Sequence, residues 1–450
     1  MALVANRNGG SMKRRVVITG MGCVTALGSC VDQVWSRAVE GRSAVGPLTL
    51  FDAQQFPVRI AAEVRDWSLQ EVGLDPRLWE HCPRQTAFAV GAGIHACRQA
   101  GLPDRRVSAL RFGVYLGCGE AFEDFSKFTD SICDSHSVAQ YDPIRFSSTA
   151  LRIFDPDMQR EYDANMPAQH LAGIFDAQGP NANCIAACVS SSQAIGRAAG
   201  LIRRGAADIM ICGGAHSTIH PFGVTGFHRL SALSTRNDDP AGAVRPFDRE
   251  RDGFVIGEGA GMLVVESLEH ARARNADILA EITGYGSAQD AYRVTDTHPD
   301  GRGTIRAMQR ALDDAGLATS DIDYCNAHGT GTLLNDKVES LAIKQVFGRH
   351  AWQMPISSTK SMIGHATTAC GAIELIISVQ TLRNSVVHPT INYRKPDPNC
   401  DLDYVPNEAR QHACRHVLSN SIGFGGQNAA LVVSAFDERM PSRTALPRAA

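Results

Sequence analysis

The sequence predicts an α/β protein made of two similar halves, residues 14–270 and 271–437, with loose tails at 1–13 and 438–450. Three observations predict it. Strand-like apolar runs alternate with helical patterns along the whole chain, which argues for sheets covered by helices. Residues 278–286 (ILAEITGYG) echo residues 16–22 (VVITGMG), which argues for duplication. A chain of 450 residues is also too long for one small core.

In chain order, residues 15–20 read as a buried strand and lead into a glycine-rich turn ending at Gly28. Residues 32–39 are helical, 86–101 form an alanine-rich helix, and 112–117 form a strand. Residues 120–170 read as a polar, irregular excursion broken by Pro143, Pro156 and Pro167, of the kind that serves function or an interface. A turn at Cys188, a helix to Gly205 and a strand at 208–212 follow. A charged loop at 245–254, a strand at 259–265 and a helix at 268–274 close this half. The second half repeats the plan. A strand opens it at 278–286, followed by a helix at 303–315 and a strand ending on His328. Next come a helix at 336–346, a short strand at 355–358, a small-residue turn at 364–371 and a helix at 372–384. Residues 1–12 read as a loose leader, with Met12 an alternative start.

Composition excludes several classes. The formal net charge is −3 and 44% of residues are hydrophobic, so there is no nucleic-acid or membrane signal. No apolar run reaches the ~18 residues of a transmembrane helix, and no secretory signal is evident. Thirteen cysteines, odd in number and without paired spacing, fit a reducing cytoplasm. No CxxC or HExxH pattern supports a zinc site.

The stretch 183–205 (NCIAACVSSSQAIGRAAGLIRRG) organises the rest. Small residues crowd Cys188, and apolar residues then recur at helical spacing. Cys188 is therefore expected on a tight turn at a helix N-terminus. Free amides and the helix dipole would acidify its thiol there, and the serines would cap the helix. A buried structural cysteine is the alternative. His328 in NAHGTGT (326–332) and His365 in STKSMIGH (358–365) sit in glycine-flanked turns at strand ends, where catalytic groups gather in α/β folds. A fourth turn, SNSIGFGGQN (419–428), would bring backbone amides near a ligand. Together the four turns read as one thiolate, two imidazoles and an oxyanion hole.

On these motifs, with STRN at 234–237 and RPFDRERDG at 245–253, the chain resembles the β-ketoacyl-[acyl carrier protein] synthases of the elongating type. The resemblance spans residues 15–436. It implies the thiolase fold, with two duplicated halves in a five-layer αβαβα sandwich, and a homodimer. It implies that an acyl group passes from a carrier protein to Cys188 and that the enolate of a decarboxylated malonyl carrier then attacks it. It assigns His328 and His365 to the malonyl thioester, the amides of Cys188 and Phe424 to the oxyanion hole, and Lys360 to tuning the histidines. Thr330 and Thr332 would bond the phosphopantetheine arm, which belongs to the carrier. Phe227, Ile422 and Glu120 would border the substrate. Glu374 and Asp336 would be structural, with a monovalent cation possible near Asn326, Glu374, Ser419 and Asn420. No separate cofactor is implied.

Three features depart from that family. Glu120 stands where an apolar residue is usual, Ile422 stands where Phe is usual, and residues 149–164 look like an insertion bordering the acyl pocket. Glu120 would favour polar or short acyl groups, or would pair with Arg152 or Arg160 and reshape the tunnel. Two other functions compete: a non-catalytic chain-length partner in a heterodimer, and a degradative thiolase. The cysteine and the two histidines argue against both.

Overall fold

The computed structural model describes residues 14–102, 107–119, 124–137 and 140–438. Five strands from the first half enter one mixed sheet: β1 (Val16–Thr25), β2 (Phe112–Leu116), β3 (Asn181–Asn183), β4 (Ile209–His216) and β5 (Gly259–Ser267). Five from the second half continue it: β6 (Ala280–Gln289), β7 (Tyr324–Asn326), β8 (Ile356–Ser357), β9 (His416–Gly423) and β10 (Gln427–Ser434). The order across the sheet is β8-β7-β9-β10-β6-β1-β5-β4-β2-β3.

The two halves share one topology. Outward from the centre, each runs first, fifth, fourth, second, third strand. In each, the inner two pairings are antiparallel and the outer two parallel. Even the bulges correspond, at Ile18/Gly20 and at Ile282/Gly284. The halves meet where β1 pairs with β6 through Val17–Glu281 and Ile18–Ala280.

The first-half helices are α1 (Val31–Val39), α2 (Arg84–Gln99), α3 (Phe125–Ser135), α4 (Pro143–Ile153), α5 (Pro156–Glu161), α6 (Met166–Phe175), α7 (Ser190–Arg203), α8 (Pro221–Arg229) and α9 (Leu268–Ala273). The second half adds α10 (Arg302–Ala315), α11 (Leu333–Phe347), α12 (Lys360–Ile363) and α13 (Cys370–Asn384). Helix α2 covers the outer face of β1 and β5, and α10 covers β6 and β10. Helices α7 and α13 touch strands of both halves and each other, which makes five layers. Every residue of α13 from Cys370 to Leu382 is buried, so the helix lacks the polar face of a surface helix. Gly20 and Gly22 let α2 lie close, because a Cβ at either would run into carbonyl oxygens of Ala96 or Ala92. Gly284 and Gly286 do the same against Ala311 and Ala307 of α10, which explains the echo in the sequence.

The described part of the excursion at 120–170 is mostly helical, not irregular. Pro143 and Pro156 open α4 and α5, and Pro167 lies in the first turn of α6. Proline suits these positions because the first amides of a helix have no intrahelical partner. Asp142 and Asp155 cap α4 and α5 with their carboxylates. The Asp-Pro pairs were therefore helix starts rather than breaks. Residues 149–164 form the end of α4 and all of α5, and they line neither cavity beside Cys188. Arg152 is exposed and Arg160 pairs with Asp157 at 2.5 Å, so the described structure gives no support to their reshaping the tunnel. Glu120 lies outside the described residues.

Candidate active site

Cys188 lies on the turn between β3 and α7. Ala187 before it has φ +49°, a left-handed conformation costly for a residue with a Cβ. Ser190 fastens this turn. Its hydroxyl accepts from the Ala186 amide at 2.8 Å and donates to the Ala187 carbonyl at 2.7 Å. The helix cap is Val189, with no side-chain bond, so the serines pin the turn instead of capping the helix. Gly423 gives the turn room on the other side, since a Cβ there would stand 2.9 Å from Val189 Cγ2 and 3.2 Å from the Cys188 nitrogen.

The thiol is buried, and burial pushes it up to about 11. This corrects the expectation of an acidified thiol, because desolvation outweighs the groups favouring the anion. Those groups are the Lys360 charge and the backbone amides of Phe424 and Cys188.

His365 Nε2 lies 3.1 Å from Cys188 Sγ. Its Nδ1 accepts the Thr367 amide proton at 3.2 Å and lies 3.2 Å from Cys370 Sγ. An accepting Nδ1 leaves the proton on Nε2, directed at the sulfur. His328 is fixed in the same sense, because Lys360 Nζ donates to its Nδ1 at 3.1 Å. Burial, then the Lys360 charge, holds both imidazoles well below their ordinary value, so both are neutral. The rings meet edge to face at 5.5 Å, and Phe254 lies edge-on to His365 at 4.9 Å.

Lys360 is fully buried and bound to Glu374 at 2.5 Å. Burial pulls its ammonium down, but Glu374, joined by Cys370 and Glu339, outweighs that and raises it, which keeps it charged. Glu339 holds the backbone under His328, accepting from the His328 and Gly329 amides at 2.8 Å each. Burial raises both Glu339 and Glu374 to about 7. Asp336, one helical turn from Glu339, accepts from the Phe247 amide at 2.7 Å and the Gly331 amide at 3.2 Å. It thus ties the charged loop to the turn after His328.

Two cavities meet at Cys188. One of about 270 Å³ holds Cys188, His328 and His365 and opens past Thr330 and Thr332, whose hydroxyls are 2.9 Å apart. Phe227, Ile422 and Phe424 also line it. The other, of about 530 Å³, runs from Cys188 past Ala187, Phe222, Phe227 and Phe424. Asn326 and Ser419 are paired across β7 and β9, and Asn420 Nδ2 donates to Glu339 at 3.3 Å.

The sequence reading missed Glu339, Cys370 and Phe254. Glu339 had a signal, since an acidic residue three positions from Asp336 falls on the buried stripe of α11 with Ile343 and Phe347. Cys370 and Phe254 had none, because only packing brings them to His365.

The β-ketoacyl synthase N-terminal domain model matches residues 13–271, and the corresponding C-terminal domain model matches residues 279–394. The 3-oxoacyl-[acyl-carrier-protein] synthase 2 of Coxiella burnetii is 43% identical over 422 residues, covering 94% of this chain and 99% of its own. That of Synechocystis is 42% identical over 424 residues, covering 94% and 99%. Among solved structures, a β-ketoacyl synthase from Burkholderia phymatum matches with TM-score 0.81 at 36% identity, covering 94% of this chain and 100% of that one. A type II PKS acyl-carrier protein in complex with its ketosynthase bound to the hexaketide matches with TM-score 0.84 at 34% identity, covering 94% and 100%. With both domain models matched in order and this identity over nearly the full length, the chain belongs to the β-ketoacyl synthase family.

Proposed function

We propose that this chain is an acyltransferase that condenses an acyl group on Cys188 with a malonyl group on acyl carrier protein, giving a 3-oxoacyl carrier. The observation that carries this reading is the convergence of the Cys188 sulfur and two neutral imidazoles, each with its proton on Nε2, in one cavity.

In the first stage the Cys188 sulfur attacks the carbonyl carbon of the carrier thioester. A new C–S bond forms, the carrier's C–S bond breaks, and the thiol proton leaves with the departing carrier sulfur. The tetrahedral oxygen sits against the amides of Cys188 and Phe424. In the second stage the malonyl thioester oxygen sits between the Nε2 protons of His328 and His365. The C–C bond to the carboxylate breaks, carbon dioxide leaves, and the electron pair becomes an enolate held by those donors. The enolate carbon then attacks the acyl carbonyl, and the Cys188 sulfur leaves and takes a proton from solvent. Neutral imidazoles suit this step because they donate without transferring a full charge. Thr330 and Thr332 supply hydroxyls for the pantetheine arm at the mouth.

The residues also fit a monovalent cation. Asn326 Oδ1, Glu374 Oε2, Ser419 Oγ and Asn420 Oδ1 are buried oxygens with no hydrogen-bond partner among the described residues. Two buried carboxylates, Glu339 and Glu374, stand against one buried ammonium, Lys360. Those four residues would hold the ion. Bound there, it would supply the positive charge that balances the second carboxylate.

The partner reading is acyl carrier protein and a second copy of this chain. Exposed Ile144 and Leu151 on α4, with Tyr141 beside them, support an interface between copies. The thirteen free cysteines support action in a reducing cytoplasm. No helix among the described residues is long and apolar enough to cross a membrane. A chain-length partner would not need the nucleophile and both histidines. The test is mass spectrometry of products from the purified chain with acyl and malonyl carriers. A 3-oxoacyl carrier is expected, and its absence with active carriers would overturn the proposal.

A further inference from the structure

We infer that Phe222 is the end wall of the acyl cavity and sets the longest acyl chain that Cys188 accepts, with helix α8 as the ruler. This rests on the condensation reading above. Phe222, Gly223, Gly226 and Phe227 of α8 line the cavity of about 530 Å³, and Leu230 at the helix C-cap continues the row. That spacing is one face of a helix. Phe227 and Leu230 line both cavities, so they mark the end where these meet at Cys188. Phe222 lines only the second cavity, about 12 Å along the helix axis from Leu230. It is 39% exposed, so its ring reaches open space.

That ring is braced from behind. Phe125 and Phe128 of α3 meet it edge to face, with centroids 4.9 Å and 5.3 Å away, the arrangement aromatic quadrupoles favour. Phe128 in turn meets Phe146 of α4 at 6.3 Å. The excursion at 120–170 thus reaches the acyl cavity through Phe222 and holds its ring in place.

Between the two ends the face of α8 is bare. Gly226 brings no side chain, and a Cβ there would meet nothing within 4 Å among the described residues. Its φ is not positive, so the backbone does not require glycine, and its effect is to leave the cavity open. A chain growing away from Cys188 therefore passes Gly226 and stops at the Phe222 ring. An extended chain advances about 1.2 Å per bond, so a path of about 12 Å holds roughly ten carbons.

The experiment measures kcat/KM for saturated acyl carriers from six to sixteen carbons. In the wild type the value is expected to fall beyond about ten carbons, since one methylene too many in a closed pocket costs ten-fold or more. Phe222→Ala is expected to raise the ratio of tetradecanoyl to decanoyl carrier by about ten-fold or more. Phe128→Ala, which removes the brace, should move it the same way by less. Gly226→Leu fills the cavity short of the wall and should move the fall to shorter chains. Each readout is a ratio within one protein, so a general loss of activity cancels, and acylation of Cys188 read by intact mass gives the same ratio. A wild type with no fall up to sixteen carbons, or a profile that Phe222→Ala leaves in place, overturns the wall and leaves the condensing reading standing. A wild type that condenses none of the chains overturns both.

Discussion

The ammonium of Lys360 lies 3.1 Å from Nδ1 of His328, and both groups are buried. One contact thus fixes which imidazole nitrogen carries the proton. Lys360→Ala is expected to free His328 to adopt the other tautomer and to lower malonyl decarboxylation by about 10²–10³, the typical loss of one oxyanion donor. It also strands the Glu374 carboxylate, at a stability cost of about 3–5 kcal/mol. A decarboxylation assay with a urea unfolding curve checks both. Wild-type decarboxylation in a folded variant would contradict the tautomer argument.

Cys188→Ala is expected to abolish condensation, since no other thiol meets the amides of the Phe424 turn. Decarboxylation needs the two imidazoles and not the sulfur, so carbon dioxide release from malonyl carrier should remain measurable. Normal elongation by this variant would remove Cys188 from the mechanism.

The two histidines should separate in their effects. His365 touches the Cys188 sulfur and His328 does not, so His365→Ala should slow both acylation and decarboxylation. His328→Ala should slow decarboxylation alone, by about 10²–10³. Loss of the Nε2 donor should also move the pH profile of Cys188 alkylation by iodoacetamide to higher pH in His365→Ala. An alkylation profile that does not move would show that this nitrogen does not serve the sulfur.

Glu339 gives a pH prediction with a definite sign. Burial raises it from 4.5 to about 7, so the folded state binds its proton more tightly than the unfolded state. The resulting stability is fully present below about 4.5 and is lost as pH rises through about 7. Glu339→Gln removes the titration, so its unfolding free energy should fall less over that interval than the wild type's. A Gln side chain also replaces only one of the two amide bonds, so the baseline drops and the slope is the readout. Identical slopes in the two proteins would refute the assignment.

The resemblance carried by four motifs named the reacting groups, while the residue pattern by itself determined the alternation of strands with helices and the duplication. Local pattern is sufficient for these, because strands buried on both faces read as apolar runs and glycines recur where a helix lies on a strand. His328 and His365 stood out because they sit in glycine-flanked turns at strand ends, and Cys188 because small residues crowd it just ahead of a helical pattern. The helices at 125–175 were legible too, had Asp142–Pro143 and Asp155–Pro156 been read as helix starts. Only the tertiary structure decided the electrostatics. Helix position predicted an acidified Cys188, yet its thiol is pushed up to about 11 because desolvation depends on every element packed around it. In the same way, the pairing of Lys360 with His328 and the contact of His365 with Cys188 join residues far apart in the chain. Their energies are set by distance and burial in the folded state, and no local sequence pattern encodes either.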